Sequence, residues 1–230
     1  MAKHVSKNLK KVREIFDSSK EYTLVEAMEI AKKTSFVKFD ASIDLALNLN
    51  LDTRKAEQQL RGSVLLPNGT GKQVRVLVAT DDTEQQKASK DAGADIVVNS
   101  VDLEDILKKE KFDFDVMVAE PKMMITLGKY GKVLGPKGLM PNPKTGTVTP
   151  ETAKAVEELK KGKANYRADK SGIIHSLIGK VSMDANKLAE NADTLIQLIK
   201  KLKPSTVKGT YMKSVYVSTT MGPSIKIKID

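Results

Sequence analysis

Two kinds of strand are written into this chain. From Ile43 to Leu51 apolar residues fall at every second position (Ile43, Leu45, Leu47, Leu49, Leu51), with Asp44, Ala46, Asn48 and Asn50 between them. A period of two describes a strand with one buried and one polar face. From Val74 the register changes. VRVLVA is a short continuous apolar run, and Asp95–Val98 and Asp115–Ala119 are two more of the same kind. Between these runs, Asp82 to Ala92, stopped by Gly93, and Leu103 to Lys109 read as helices. Alternating strands and helices at this spacing predict a parallel sheet with helices on its faces. The breaker cluster Pro67-Asn68-Gly69-Thr70-Gly71-Lys72 marks the change of register, and Lys160-Lys161-Gly162-Lys163 is a second candidate hinge.

Charge divides the chain at nearly the same places. Asn68 to Glu158 carries 13 basic against 15 acidic residues, and the remaining residues carry 26 against 14. The formal excess of +10 therefore belongs to the two ends of the chain. An excess so placed points to a polyanionic partner, nucleic acid or an anionic membrane surface. No basic helix with a strongly apolar face stands out, so nucleic acid leads.

The flanking segments read as mixed helix and strand. Leu9, Val12, Ile15 and Phe16 mark an amphipathic N-terminal helix, and Thr23 with Glu26 forms a capping box at the head of another. Arg54, Lys55 and Arg61 fall in a polar connection before a short strand at Ser63–Leu66. Gly128 to Thr147, with five Gly, four Lys, three Pro and no acid, reads as a long loop, suited equally to contact with anions and to a purely structural role. A helix from Pro150 to Leu159 leads to the second hinge. Beyond it, Ile173–Lys180 reads as a strand in a hairpin with the turn-bearing residues before it, and Asp184 caps a long helix that stops at Pro204. The chain closes on a second hairpin whose corner, Ser218-Thr219-Thr220-Met221-Gly222-Pro223, is rich in hydroxyls. Hydroxyls donate and accept, which suits phosphate oxygens and ribose 2′-OH groups; the plain alternative is an ordinary β-turn.

These readings predict a two-layer α+β domain, residues 1–67 and 159–230, built from both chain ends. An α/β Rossmann-like three-layer domain, 68–158, is inserted in it. Two adjacent linkers act as a hinge, so relative domain motion is expected.

Several chemistries are excluded or disfavoured. With no Cys, disulfides and thiolate metal sites are impossible. The only His residues, His4 and His175, have no ligand spacing, so neither a metal nor a cofactor is expected. The Gly71-Lys72 pair lacks the motif of a phosphate-binding loop, because Leu66 stands where the first Gly belongs and Gln73 where Ser or Thr belongs. No G-x-G-x-x-G follows the first apolar run. No segment is long and apolar enough to span a membrane, and the basic N-terminus lacks the apolar run of a signal peptide. An enzyme acting on a phosphorylated substrate and a non-specific basic RNA-binding protein are the alternatives to a specific RNA binder.

Specific motifs lie along this frame: Lys38-Phe39-Asp40-Ala41-Ser42, Leu66 to Lys72, LGPKGLMPNPKTGTV at 134–148, Asp169-Lys170-Ser171-Gly172 through His175, Ile178-Gly179-Lys180, and SVYVSTTMGP at 214–223. In these stretches, and over essentially its whole length, the chain resembles a bacterial member of the L-one family of large-subunit ribosomal proteins. The resemblance implies a non-enzymatic, cytoplasmic ribosomal protein, monomeric when free and not bound to membranes, with one domain inserted in the other. It implies large-subunit rRNA of the mobile stalk as partner, beside other ribosomal components and the exit-site tRNA whose release the stalk assists. It also implies repression of its own operon through a similar structure in the mRNA. Carried over position by position, it places Lys38, Phe39 and Ser42, then Ser218, Thr219, Thr220 and Met221, against RNA, with Gly222 and Pro223 shaping the turn. Asp169, Lys170, Ser171, His175, Gly179 and Lys180 form the neighbouring edge, and Arg54, Arg61 and Arg167 rank second.

Overall fold

The computed structural model of the protein describes residues 12, 15–109 and 112–229. In chain order the elements are α1 (Leu24–Lys33), β1 (Ser42–Leu49), β2 (Arg61–Leu65), β3 (Val76–Ala79), α2 (Thr83–Asp91), β4 (Ile96–Val98), α3 (Ser100–Lys109) and β5 (Val116–Ala119). They continue with α4 (Met124–Lys129), α5 (Gly131–Leu134), α6 (Thr152–Lys160), β6 (Lys163–Arg167), β7 (Ile173–Lys180), α7 (Ala185–Lys201), β8 (Met212–Thr219) and β9 (Ser224–Ile227). Most of the expected Leu9–Phe16 helix lies outside the described residues. Val12 and Phe16 are buried. The chain divides into two compact units, Met1–Lys72 with Ala164–Asp230, and Gln73–Lys163.

The first unit is built on a four-stranded antiparallel sheet in the order β7–β1–β8–β9. Its logic is the period of two. Ile43, Leu45, Leu47 and Leu49 of β1 are buried with Ile174 and Ile178 of β7, Val215 and Val217 of β8, and Ile225 and Ile227 of β9. Helices α1 and α7 pack on each other and cover this face. Helix α7 brings Leu188, Ala192, Leu195 and Ile199 at helical spacing. At its head Asp184 holds the cap position without a side-chain hydrogen bond. Helix α1 opens with the expected capping box, in which Glu26 N donates to Thr23 Oγ1 (3.4 Å) and Thr23 N to Glu26 Oε2 (3.0 Å). Truncating a core residue such as Leu47 to Ala in such a face costs about 2–5 kcal/mol.

Two expectations for this unit are corrected. Ile173–Lys180 pairs with β1, not with the residues before it; a single bridge, Ala168–Ile174, joins the two stretches, and Lys163–Arg167 is itself a strand paired with β2. Arg61 opens β2 and is not in the connection before it. The reason is that β1 needs a neighbour on each edge, and the alternating β7 supplies one at matching parity. The breaker cluster is held by the buried Asn191 of α7. Its Oδ1 accepts from Asn68 N (3.1 Å), and its Nδ2 donates to Gly69 O (2.8 Å) and Ile178 O (2.9 Å).

In the second unit the apolar runs form a parallel sheet in the order β4–β3–β5. All of β3 is buried because both faces are covered. On one side Leu77, Ala79 and Met117 meet Leu103 and Leu107 of α3, Leu127 of α4 and Leu134 of α5. On the other, Val76, Val78 and Val118 meet Ala155, Val156 and Leu159 of α6. The expected loop at Gly128–Thr147 is loop only in part: its start lies in α4 and α5, a short 3-10 turn spans Pro143–Thr145, and the stretch between them is turn and coil. Fully buried Leu134 anchors α5, and the Pro-rich remainder closes on Asn142, whose Oδ1 accepts from Lys144 N (2.8 Å) and whose N donates to Thr147 Oγ1 (2.8 Å). Gly and Pro hid the helical period that Leu127, Leu134 and their neighbours carry.

Excising residues 73–163 and joining Lys72 to Ala164 through a short Gly-Ser linker is expected to leave a chain that unfolds in one cooperative transition. Thermal unfolding followed by circular dichroism checks this, and a non-cooperative melt overturns it.

Candidate nucleic-acid interface

The period of two that buries one face of the four-stranded sheet leaves the other face to polar groups. Register fixes its rows. Across β7, β1, β8 and β9, one row is His175, Ala46, Tyr216 and Lys226, and the next is Leu177, Asp44, Ser218 and Ser224. His175 is exposed, and Asp44, Tyr216 and Ser218 are half-buried among their neighbours.

At the Ser42 end of β1 three segments are tied together. Thr220 N donates to Ser42 O (3.1 Å), and Ser42 N donates to Thr220 Oγ1 (3.0 Å), so the hairpin corner is fastened to the start of the central strand. On the other edge Asp40 Oδ1 accepts from Ser182 N (3.1 Å), and Oδ2 accepts from Ser182 Oγ (2.9 Å) and faces Lys180 Nζ at 3.7 Å. Desolvation works against the Asp40 carboxylate, but the Ser182 hydrogen bonds and Lys180 outweigh it and hold its pKa below the ordinary value. With the segment 39–42 gripped from both sides, Phe39 and Met221 stand out at 57% and 58% exposure beside exposed Lys38. Large apolar side chains left bare on so basic a unit offer a surface for sugar or base, and the flanking lysines and hydroxyls suit phosphate and ribose.

The sequence-derived set is thus divided by the fold. Lys38, Phe39, Ser42, Lys180, Thr220 and Met221 gather at the Ser42 end, and Ser218 and His175 lie along the outer face. Asp169, Lys170 and Ser171 sit at the opposite end of β7, roughly 25 Å away for a strand of this length. There Asp169 Oδ1 accepts from Ser171 N (2.9 Å) and Ile173 N (2.8 Å), and Thr53 Oγ1 donates to Lys170 O (2.8 Å), which brings exposed Arg54 alongside. Arg61 and Arg167 are exposed on the paired β2 and β6.

Four of the set face inward or shape the turn. Thr219 and Pro223 are buried, and Gly222 lies so close over the Thr219 side chain that a Cβ would overlap it. Gly179 is buried at an irregularity where β7 slips against β1; a Cβ there would stand 2.5 Å from Leu188 Cδ2 and 2.8 Å from Met183 Sδ. These positions support the surface from beneath, and Gly179 can offer a ligand only its backbone. Sequence reasoning missed Asp40, Asp44, Tyr216 and Lys226 as members of the constellation. Their signal was the polar parity of β1 and β8, which gains meaning only once the neighbouring strands are known.

Among the described residues no cluster of His, Cys, Asp or Glu is arranged to hold a metal ion, and no helix is long and apolar enough to cross a membrane. Residues 31–223 match the pattern of the Ribosomal protein L1p/L10e family. The chain belongs to this family. It is similar to the large ribosomal subunit protein uL1 of Mycoplasma mobile (69% identical over 232 residues) and to those of Metamycoplasma arthritidis and Mycoplasmopsis pulmonis (66% over 230 residues each), with all of both chains covered in every case. The resemblance read from the motifs is therefore correct, and the family is one of ribosomal proteins, not of enzymes.

Two expectations follow from the geometry. Gly179→Ala should destabilise the fold by about 1–3 kcal/mol through overpacking, and a denaturant midpoint equal to wild type would assign this glycine a role other than packing. Asp44 has its pKa raised by desolvation, only partly offset by His175. Its ionised form is thus disfavoured in the folded state, a penalty present above the folded pKa and lost as pH falls through it. Asp44→Asn should accordingly raise the melting temperature near pH 7, with the gain shrinking toward about pH 4, where an ordinary Asp protonates. A gain independent of pH would contradict this.

Proposed function

We propose that this chain is a structural constituent of the large ribosomal subunit in the cytoplasm, and that the unit formed by its two ends grips large-subunit rRNA of the mobile stalk. In that position it assists release of deacylated tRNA from the exit site, and it represses its own operon by binding a similar mRNA structure. The observation that carries this reading is the pair Phe39 and Met221, both more than half exposed and held at one end of the sheet by the Thr220–Ser42 hydrogen bonds. Charge supports it. The first unit has 24 basic and 14 acidic residues, and Gln73–Lys163 has 15 of each, so the whole excess lies on the unit that carries the pair. Specific recognition then rests on shape and sugar contacts at the Ser42 end, with lysines and arginines along the face adding salt-dependent affinity.

Met221→Ala and Thr220→Ala are each expected to weaken binding to a stalk rRNA fragment by about 1–3 kcal/mol. Met221 is the cleaner test, because an exposed side chain away from the core changes stability by only about 0.5 kcal/mol. Filter binding against an unrelated hairpin across a salt series checks it. Unchanged preference for the stalk fragment in a folded Met221→Ala protein would remove this end of the sheet from recognition.

A further inference from the structure

We infer that Met221 is a modification site that acts as an oxidation switch. A hydroperoxide converts its exposed thioether to the sulfoxide, and the chain in that form loses its hold on RNA until the sulfoxide is reduced. This rests on the reading of the Ser42 end of the sheet as the surface that grips RNA.

Accessibility selects this sulfur. The chain has no Cys, so every sulfur in it is a thioether and no thiol stands ready to consume the oxidant first. Met28, Met117, Met123 and Met212 are buried, and Met124, Met140 and Met183 are half-buried. Among the described residues Met221 is the exposed methionine. Position gives the modification its effect. Met221 stands at the corner between β8 and β9, one residue beyond Thr220, which exchanges hydrogen bonds with Ser42. The turn is closed by Gly222 N donating to Thr219 O (3.0 Å). The thioether is thus presented by tethered backbone, at the same end of the sheet as exposed Phe39. Neither side chain belongs to the core cluster beneath, so a change at Met221 alters the surface and leaves the packing alone.

The step needs only the oxidant. A sulfur lone pair attacks one oxygen of hydrogen peroxide, and the O–O bond breaks as the S–O bond forms. After proton transfer the other oxygen leaves as water, so sulfur gives up two electrons and the peroxide takes them. The product is a polar, chiral side chain whose new oxygen accepts hydrogen bonds and donates none. Set against a base face or a phosphate, that oxygen has no donor, and an acceptor taken out of water without a partner is costly. A contact suited to a flexible apolar side chain is therefore unfavourable to its sulfoxide.

The test exposes the full chain, free and bound to a stalk rRNA fragment, to dilute hydrogen peroxide and locates the added oxygen by peptide mass spectrometry. In the free chain Met221 should oxidise ahead of every other internal methionine, and in the complex it should be shielded. Once Met221 is converted, affinity for the fragment should fall about tenfold or more, with the melting temperature unchanged. Sulfoxide reductases for the two epimers should restore it. Met124→Leu with Met140→Leu should keep the peroxide response. Met221→Leu, whatever its own starting affinity, should bind equally before and after treatment. Undiminished affinity in chain oxidised at Met221 overturns the inference, as does an equal loss in the Met221→Leu protein or prior oxidation of another internal methionine. If the untreated chain fails to prefer the stalk fragment over an unrelated hairpin, the RNA-gripping reading falls and the switch with it. A preference that peroxide leaves intact refutes the switch alone.

Discussion

Strand β1 must be paired on both edges, and its chain neighbours supply neither partner. β7 lies on one side and β8 on the other, both drawn from the C-terminal part of the sequence. A central strand with one apolar face is stable only when its backbone groups are bonded on each edge and its side chains are covered. Residues 1–72 therefore cannot complete a core alone, and neither can 164–230. The bulk of the first unit follows from this mutual need: parity aligns the buried faces of four strands, and α1 and α7 close over them.

The same parity explains what was legible in the sequence. Ile43 to Leu49 announced one buried and one polar face, and the continuous runs at Val76, Ile96 and Val116 announced strands covered on both sides. These are local signals, and they survived into the fold. Partnership was not legible, because Ile173–Lys180 has the same alternation whether it pairs with the residues before it or with a strand more than a hundred residues away. The helical start of Gly128–Thr147 was hidden for a different reason: Gly and Pro mask a period that depends on burial of Leu127 and Leu134. At the candidate interface the residue types were legible, but their grouping was not. Asp169 and Phe39 lie at opposite ends of one sheet. Gly179, quoted for its motif, is held in place by Leu188 and Met183.

The surface at the Ser42 end is rigid for reasons that lie just behind it. Thr220 donates its backbone N–H to Ser42 O and accepts from Ser42 N at its hydroxyl, and Asp40 is engaged by Ser182 and Lys180. Beneath, Thr219 and Pro223 are buried and Gly222 sits close against the Thr219 side chain. Phe39 and Met221 are thus exposed without being loose. An apolar pair fixed in advance loses little freedom on binding, which is the condition for affinity from a small contact area.

The split ancestry of the sheet has a consequence for synthesis. When β1 emerges from the tunnel, both strands that will flank it are still unmade, and the first of them begins at Ile173. At ordinary elongation rates that interval is on the order of ten seconds. During it the Gln73–Lys163 unit, whose sheet uses only its own strands, can fold to completion. The apolar face of β1 meanwhile waits as an unpaired edge, so a nascent chain of this protein passes through a stage that favours chaperone capture before its RNA-gripping half exists.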